Sequence, residues 1–374
     1  MVDRKEVCLV SDPRSNNLIH QHRTNAFPIL HAIAAAALFG VSAPIAKLLL
    51  GEIAPVSMAA LLYLGSGIGL FLWRYLQKAD QRYSNEAKIV NSDLPWIIGA
   101  ILAGGIAAPI VLMFSLKNAS ASTASLLLNF EGVATTIIAG VVFKENIGKR
   151  IWSAVLLITV ASILLSWNTS GQWGFSLSSL GVLVACVLWG IDNNFTRNVS
   201  AKDPLSIVTI KGLSSGAFSL VLALIIGQPF PRLYYVVGAM VLGCLSYGFS
   251  IVLFIRAMRE LGTARTSALY GIAPFLGAIL SVFLFRETQG IQFIVSLPVM
   301  IFGSVLMLKE GHIHLHRHTE YEHEHRHCHD DLHHAHFYQG DKLPKSGYHS
   351  HIHQHETTEH RHPHTPDIHH RHIH

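Results

Sequence analysis

Charge is scarce in this 374-residue chain: Asp, Glu, Lys and Arg make up only 14% of it, against about 25% in ordinary soluble domains. The deficit is greatest between the two termini, which excludes a conventional water-soluble globule. Cysteine is nearly absent too. Cys8, Cys186, Cys244 and Cys328 are scattered without a CxxC pair, which argues against a disulfide framework or a thiolate metal site. No basic stripe with interleaved aromatic residues is present, so the net charge of +5 carries no nucleic-acid partner. A G-x-x-x-x-G-K-[ST] loop is missing, which argues against a pump driven by its own ATPase domain. The first 25 residues include Arg4, Lys5, Asp12 and Arg14 and have no apolar signal-peptide core. Only His20, His22 and His31 precede Gly311, so no serine–histidine or cysteine–histidine catalytic set can be assembled; the chain is not expected to be an enzyme.

What the chain has is hydrophobic length. Half of its residues are hydrophobic and the mean hydropathy is +0.38. A helix needs roughly 20 mostly apolar residues to cross a bilayer. Ten such runs are present: Ile29–Leu50, Val56–Gln77, Leu94–Leu116, Ala119–Phe143, Ile151–Trp167, Leu177–Phe195, Leu205–Ile226, Leu233–Ile255, Thr266–Phe285 and Ile291–Leu308. The expected fold is therefore an all-α polytopic membrane protein with ten transmembrane helices. A polar N-terminus (1–28) precedes the helical region (29–308), and a polar tail (309–374) follows it.

Lys and Arg in the loops set the orientation. With the N-terminus in the cytoplasm, the inner segments hold Arg4, Lys5, Arg14, Arg23, Arg74, Lys78, Arg82, Lys88, Lys144, Lys149, Arg150, Arg197, Lys202, Arg256, Arg259 and Arg265. The outer ends hold only Lys47, Lys117, Arg232 and Arg286. Ten spans then return the C-terminus to the cytoplasm. A multi-pass protein of the plasma (inner) membrane, with both termini cytoplasmic, is the expectation.

The helical region repeats itself. Laid over Arg259–Gly290, the segment Lys117–Gly148 matches at Ser125, Leu127, Ile137, Phe143, Glu145 and Gly148, with Lys144 over Arg286. Leu38-Phe39-Gly40 lies over Leu188-Trp189-Gly190 in the same way, with Lys47 over Arg197. The matched segments occupy equivalent places in two five-helix halves, 29–167 and 168–308. Five is odd, so the halves have opposite topology, and inverted repeats of this kind provide two interchangeable access states.

The ends Phe143-Lys144-Glu145 and Phe285-Arg286-Glu287, with the Gly–Ala-rich first and sixth spans, carry a family resemblance. Over about residues 29–308 the chain resembles the drug/metabolite transporter superfamily, EamA type. That resemblance implies ten helices in two five-helix repeats and secondary transport. The family exports amino acids, metabolites, drugs and, in some members, metal ions. It also implies a proline mid-way along the fourth and ninth helices. Pro274 fits; in the first repeat the aligned residue is Gly132, preceded by Glu131.

Ionisable groups in hydrocarbon cost about 2.5–3.5 kcal/mol on the insertion scale, so each needs a reason. Glu131 is central in its span, with Asn129 close by. Low dielectric favours the neutral form of a carboxylate, which suits a group that exchanges protons. Asp192, Asn193 and Asn194 lie in the sixth span, and Lys211 stands at a similar depth in the next helix, placed to pair with Asp192. Asn194 aligns with Pro44, which suggests paired helix interruptions. With Pro274, these residues form the expected transport pathway. Lys47 and Arg197 are expected to snorkel at helix ends, and Glu145 and Glu287 to pair locally at the surface.

All but three of the 25 histidines lie in the tail. They are His312, His314, His316 and His318; His323, His325, His327 and His329; His333, His334 and His336; His349, His351, His353 and His355; His360, His362 and His364; and His369, His370, His372 and His374. So few apolar residues accompany them that the tail is expected to be disordered. Imidazoles interleaved with Glu320, Glu322, Glu324, Asp330 and Asp331 suit nickel, cobalt, zinc or copper(II), and the single cysteine disfavours copper(I). A pH sensor is the other use of so many imidazoles.

The reading that unites these features is a proton-coupled exporter of a divalent metal ion, nickel or cobalt before zinc. No resident cofactor is required, and the tail would hold the metal. An exporter of amino acids, metabolites or drugs, with a tail that only buffers or senses metal, is the alternative. The expected partners are the lipid bilayer, the small solute or metal ion, and a second copy in a homodimer.

Overall fold

The computed structural model describes residues 26–77, 87–144, 147–167, 176–200, 202–261, 266, 269–308, 312–317, 321–328, 348–355 and 359–364. Among these residues eight helices are long and apolar enough to cross a membrane. They are α1 (Phe27–Leu49), α2 (Pro55–Leu76), α3 (Asn91–Asn118), α4 (Ala121–Val141), α5 (Lys149–Ser166), α6 (Leu177–Val199), α7 (Pro204–Ile225) and α8 (Leu233–Ala257). Two further apolar helices follow, α9 (Ala273–Phe285) and α10 (Ile291–Leu308). The ninth run was expected to be helical from Thr266; Thr266, Leu269 and Tyr270 are helical, and a turn at Gly271–Ile272 separates them from the segment Ala273–Phe285.

Local signals place the helix starts. Pro55 and Pro204 open α2 and α7, where a missing N–H costs nothing. Ser120, Ser176 and Asp203 cap α4, α6 and α7 by accepting from the N–H groups of Thr123, Ser179 and Leu205. The cap at Ser120 separates α3 from α4 in what reads as a nearly continuous apolar stretch. Large apolar side chains such as Leu156, Leu177, Ile225 and Phe283 point outward, while Ser66, Ser162, Ser246 and Ser281 are buried. Small residues inside and large apolar residues outside suit a bundle whose surroundings are hydrocarbon.

The packing is reciprocal between the two halves. Helix α1 lies against α8 and α9, and α6 lies against α3 and α4. α2 packs on α7 and α8, and α7 packs in turn on α3. Helices α5 and α10 pair with each other. Glycines bring α2 close to α7. A Cβ added to Gly67 would stand 2.5 Å from Leu213 N, and one on Gly212 would stand 2.6 Å from Gly67 N.

Several helices are interrupted. α1 breaks at Val41, and α4 breaks at Leu128–Asn129 between helical segments Ala121–Leu127 and Phe130–Val141. A turn at Gly271–Ile272 precedes α9. Helices α3 and α8 each widen to a π-turn, at Ile101–Ala107 and Cys244–Phe249. Lys144 and Arg286, matched in the sequence repeat, both adopt the left-handed conformation at the ends of α4 and α9, with φ of 53° and 49°. The expected pairing of breaks at Pro44 and Asn194 does not occur. Pro44 sits just inside the second segment of α1, and α6 runs unbroken through Asn194, whose amide bonds within and beside the helix without opening it.

The tail was expected to be disordered; its described residues form four strands: β1 (His312–Arg317), β2 (Tyr321–Cys328), β3 (Tyr348–His355) and β4 (Glu359–His364). β1 pairs antiparallel with β4, and β2 with β3. The strict alternation of His with other residues has the two-residue period of a strand. The register sets His312, His314 and His316 opposite His364, His362 and His360, and His323, His325 and His327 opposite His353, His351 and His349. His318, His329, His333, His334, His336, His369, His370, His372 and His374 lie outside the described residues.

Gly212→Val should force α2 and α7 apart. A loss of about 1–3 kcal/mol, the usual cost of overpacking, is expected as a lowered midpoint of thermal unfolding in detergent.

Candidate functional site

Glu131 stands in the first turn after the break in α4. The break uses tight bonds, with Glu131 N–H donating to Leu128 O at 3.1 Å and Gly132 N–H to Asn129 O at 3.3 Å. Glu131 Oε1 accepts from Asn193 Nδ2 of α6 at 2.8 Å. The same amide lies 3.2 Å from Thr135 Oγ1, which donates back to Glu131 O at 2.8 Å. Asn194 Nδ2 donates to Thr135 O at 3.1 Å and to Gly190 O at 2.8 Å. Gly190 permits this approach, since a Cβ there would lie 2.9 Å from Thr135 N. Three expected pathway residues, Glu131, Asn193 and Asn194, therefore meet at the crossing of α4 and α6. Asn129 does not join them: its amide turns back to Leu126 O at 3.1 Å and supports the break itself.

A second cluster adjoins it on α6. Asp192 Oδ2 and Lys211 Nζ form the ion pair expected from their depth, with both side chains buried. Asp192 Oδ1 accepts from Thr196 Oγ1 at 3.0 Å. The pair rests against the π-turn of α3. A Cβ on Gly104 would meet Asp192 Oδ2 at 2.0 Å, and one on Gly105 would meet Ser215 Oγ at 2.0 Å. These glycines are thus required by close approach. Gly104 O accepts from Tyr63 OH at 2.6 Å and from Trp189 Nε1 at 3.1 Å, which re-satisfies backbone at a place where the regular ladder is disturbed. A cavity of about 20 Å³, the size of one water, lies between Tyr63, Ser66, Thr196, Lys211 and Tyr247.

Aromatic rings join the helices around these clusters. Phe39 packs on Trp189, Tyr247 and Tyr270 with ring centroids 6.1, 5.8 and 5.4 Å apart, and Tyr63 packs on Tyr247 at 5.5 Å. Phe39 and Trp189, matched in the sequence repeat, touch each other at the centre of the bundle. Sequence reasoning missed Tyr63, Trp189, Tyr247 and Gly104, because aromatic residues and glycines within apolar spans read as ordinary packing. The one available signal was that Phe39 and Trp189 align. Pro274 is in the opening turn of α9, where its ring starts the segment without a lost hydrogen bond.

Two charged residues differ from expectation. Lys47 does not simply reach for the interface. Its Nζ donates to Leu116 O, Lys117 O and Ala119 O at 2.7, 2.8 and 2.8 Å, closing the carboxyl end of α3. Glu287 does not pair with a surface base. Its carboxylate accepts from Ala121 N at 2.8 Å, from Ser122 N at 3.0 Å and from Ser122 Oγ, at the amino end of α4. Glu145 lies outside the described residues. Among the described residues no group of three or more His, Cys, Asp and Glu side chains stands ready to hold a metal ion.

Interrupted apolar helices around buried polar side chains define a polytopic membrane transporter. The model of the EamA-like transporter family matches the chain twice, at residues 26–167 and 176–309, and the chain belongs to that family. It is 27% identical over 297 residues to an uncharacterized transporter of Methanothermobacter thermautotrophicus, covering 75% of this chain and 85% of the relative. An uncharacterized transporter of Clostridium kluyveri is 21% identical over 230 residues, covering 59% of this chain and 73% of the relative. A solved crystal structure superposes with a TM-score of 0.57 at 17% identity over 75% of this chain and 98% of its own, a likeness of fold.

Lys211→Met should leave the Asp192 charge buried without its partner. It should destabilise the protein by about 3–5 kcal/mol, and Asp192→Asn in the same chain should recover most of that, both measured by denaturation in detergent.

Proposed function

We propose that the protein is a secondary-active exporter of the inner membrane that moves a divalent transition-metal ion, nickel or cobalt before zinc, in exchange for protons. The observation that carries this reading is the half-buried Glu131 carboxylate, held by Asn193 beside a helix break. Intramembrane acids facing a bundle interior are the usual carriers of cations and protons. Neutral in low dielectric and anionic when a cation replaces its proton, Glu131 would bind the two in turn. Carbonyl and hydroxyl oxygens at the crossing of α4 and α6 would share the load.

The two halves are read as inverted repeats that rock about this centre. Support comes from the double family match, the reciprocal packing, the π-turns at equivalent places in α3 and α8, and the left-handed residues that end α4 and α9. With both termini in the cytoplasm, the tail would collect metal before export. The strand register supports that role by bringing histidines from distant segments opposite one another. Imidazole suits nickel, cobalt and zinc. A homodimer is the assembly assigned to this reading.

The second reading is export of an organic solute, with the tail as a metal buffer or sensor. The rings of Phe39, Tyr63, Trp189, Tyr247 and Tyr270 around the centre support it. Uptake into inverted, energised vesicles separates the two. Gradient-dependent accumulation of nickel or cobalt beyond tail binding is expected, and binding without accumulation moves the metal to regulation. Glu131→Gln should abolish accumulation while the protein stays folded in the membrane; full activity in that variant would sink the role given to Glu131.

A further inference from the structure

The four strands of the tail share one register. β1–β4 sets His312, His314 and His316 opposite His364, His362 and His360. β2–β3 sets His323, His325 and His327 opposite His353, His351 and His349. The two residue numbers of every pair have the same sum in both ribbons, so β1–β4 continues the register of β2–β3. The sequence carries this symmetry independently. On the outgoing arm histidine occupies even positions from His312 to His318 and odd positions from His323 to His329. On the returning arm it occupies odd positions from His349 to His355 and even positions from His360 to His364. The step from His316 to His323 equals that from His353 to His360. The alternation thus changes phase at matching places in the two arms, which keeps histidine opposite histidine on both sides of the change.

Alternate residues of a strand line one face, and opposed residues of an antiparallel pair share that face. Each ribbon therefore places three rungs of paired histidines on one face. Cβ atoms are about 4.5–5.5 Å apart across such a rung, and successive rungs are about 7 Å apart along the strand. Metal–imidazole bonds are about 2.0–2.1 Å long, so two adjacent rungs offer four ring nitrogens to one ion. The ladders are distinct: the outer one ends in Arg317 opposite Glu359, and the inner one begins with Tyr321 opposite His355. Their charges also differ. Arg317, Arg361 and Glu359 leave the outer ladder with an excess positive charge, whereas Glu322, Glu324 and Arg326 leave the inner one with an excess negative charge.

We propose that the tail holds two divalent-metal sites, one on each ladder, each binding one ion through four imidazoles of two adjacent rungs, with the inner site the tighter. This rests on the reading of the tail as metal-binding and on nothing in the membrane region. Nitrogen ligands of this number suit nickel, copper(II) or zinc. Among the described residues no such set of side chains is assembled beforehand, so the ion would draw the rungs together, and binding and closure of the ribbon would be one step. Neither arm is a site by itself.

The test is the nickel-binding stoichiometry of the full-length protein in detergent, by equilibrium dialysis, with the tail histidines outside the six rungs changed to Gln. Two equivalents are expected. Replacing His312, His314 and His316 by Gln should remove one. Replacing His360, His362 and His364 as well should remove nothing further, because both sets belong to one site. Replacing His323, His325 and His327 together with the first set should remove the second equivalent. With one ladder left, the inner should bind nickel about fivefold more tightly than the outer, the scale of two exposed charges; equal or reversed affinities would overturn that ranking. If the returning arm costs a further equivalent after the outgoing arm is replaced, or if loss simply follows the number of histidines removed, each arm binds alone and the ladders are overturned. Absence of nickel from the tail with all its histidines in place would overturn the metal reading of the tail together with them.

Discussion

Backbone polar groups have no water to turn to inside a membrane, and that constraint governs this architecture. Several departures from regular helix are answered by a specific partner. The π-turn of α3 leaves Gly104 O to Tyr63 and Trp189. The carboxyl end of α3 goes to Lys47, and the amino end of α4 to Glu287. Ser246 and Ser250 of α8 donate to Leu38 O and Ala35 O on α1. The residues that satisfy the breaks are also those that join the helices, so irregularity and cohesion have one cause.

The central polar groups divide into two kinds. The Asp192–Lys211 pair is neutralised within itself, tied to Thr196 and pressed on Gly104, so its charges are committed to holding α6, α7 and α3 together. Glu131 is held only by neutral groups, the amide of Asn193 and, through its own carbonyl, the hydroxyl of Thr135. A carboxylate without a bonded cation keeps its capacity to take one. The difference in partners, at the crossing of α4 and α6, distinguishes a charge committed to holding helices together from the carboxylate to which the proposed exporter reading assigns transport.

Much of this was legible in the sequence. Hydrophobic length marked the helices, and the depth of Asp192 and Lys211 marked their pairing. What escaped was what depends on three dimensions. The capping role of Glu287 joins residues far apart in the chain, and no local pattern signals it. Lys47 at a helix end looks like any snorkelling lysine until the α3–α4 turn is placed beside it. The π-turn of α3 packs against Asp192 and Ser215, which periodicity along α3 does not reveal. The alternation of His in the tail has a strand's period, and the described strands follow it, whereas composition alone points to disorder.

The glycine seam between α2 and α7 has its own consequence. Gly67 and Gly212 bring two main chains together with no side chain between them, and α2 belongs to one half while α7 belongs to the other. The spacing of the halves along this line is therefore a van der Waals contact distance, fixed by the radii of backbone atoms rather than by rotamers. Rotameric disorder elsewhere in the bundle has no lever on it, and neither half can drift toward or away from the other there as side chains rearrange. The molecule has, in effect, a datum line against which every other displacement of its helices is measured.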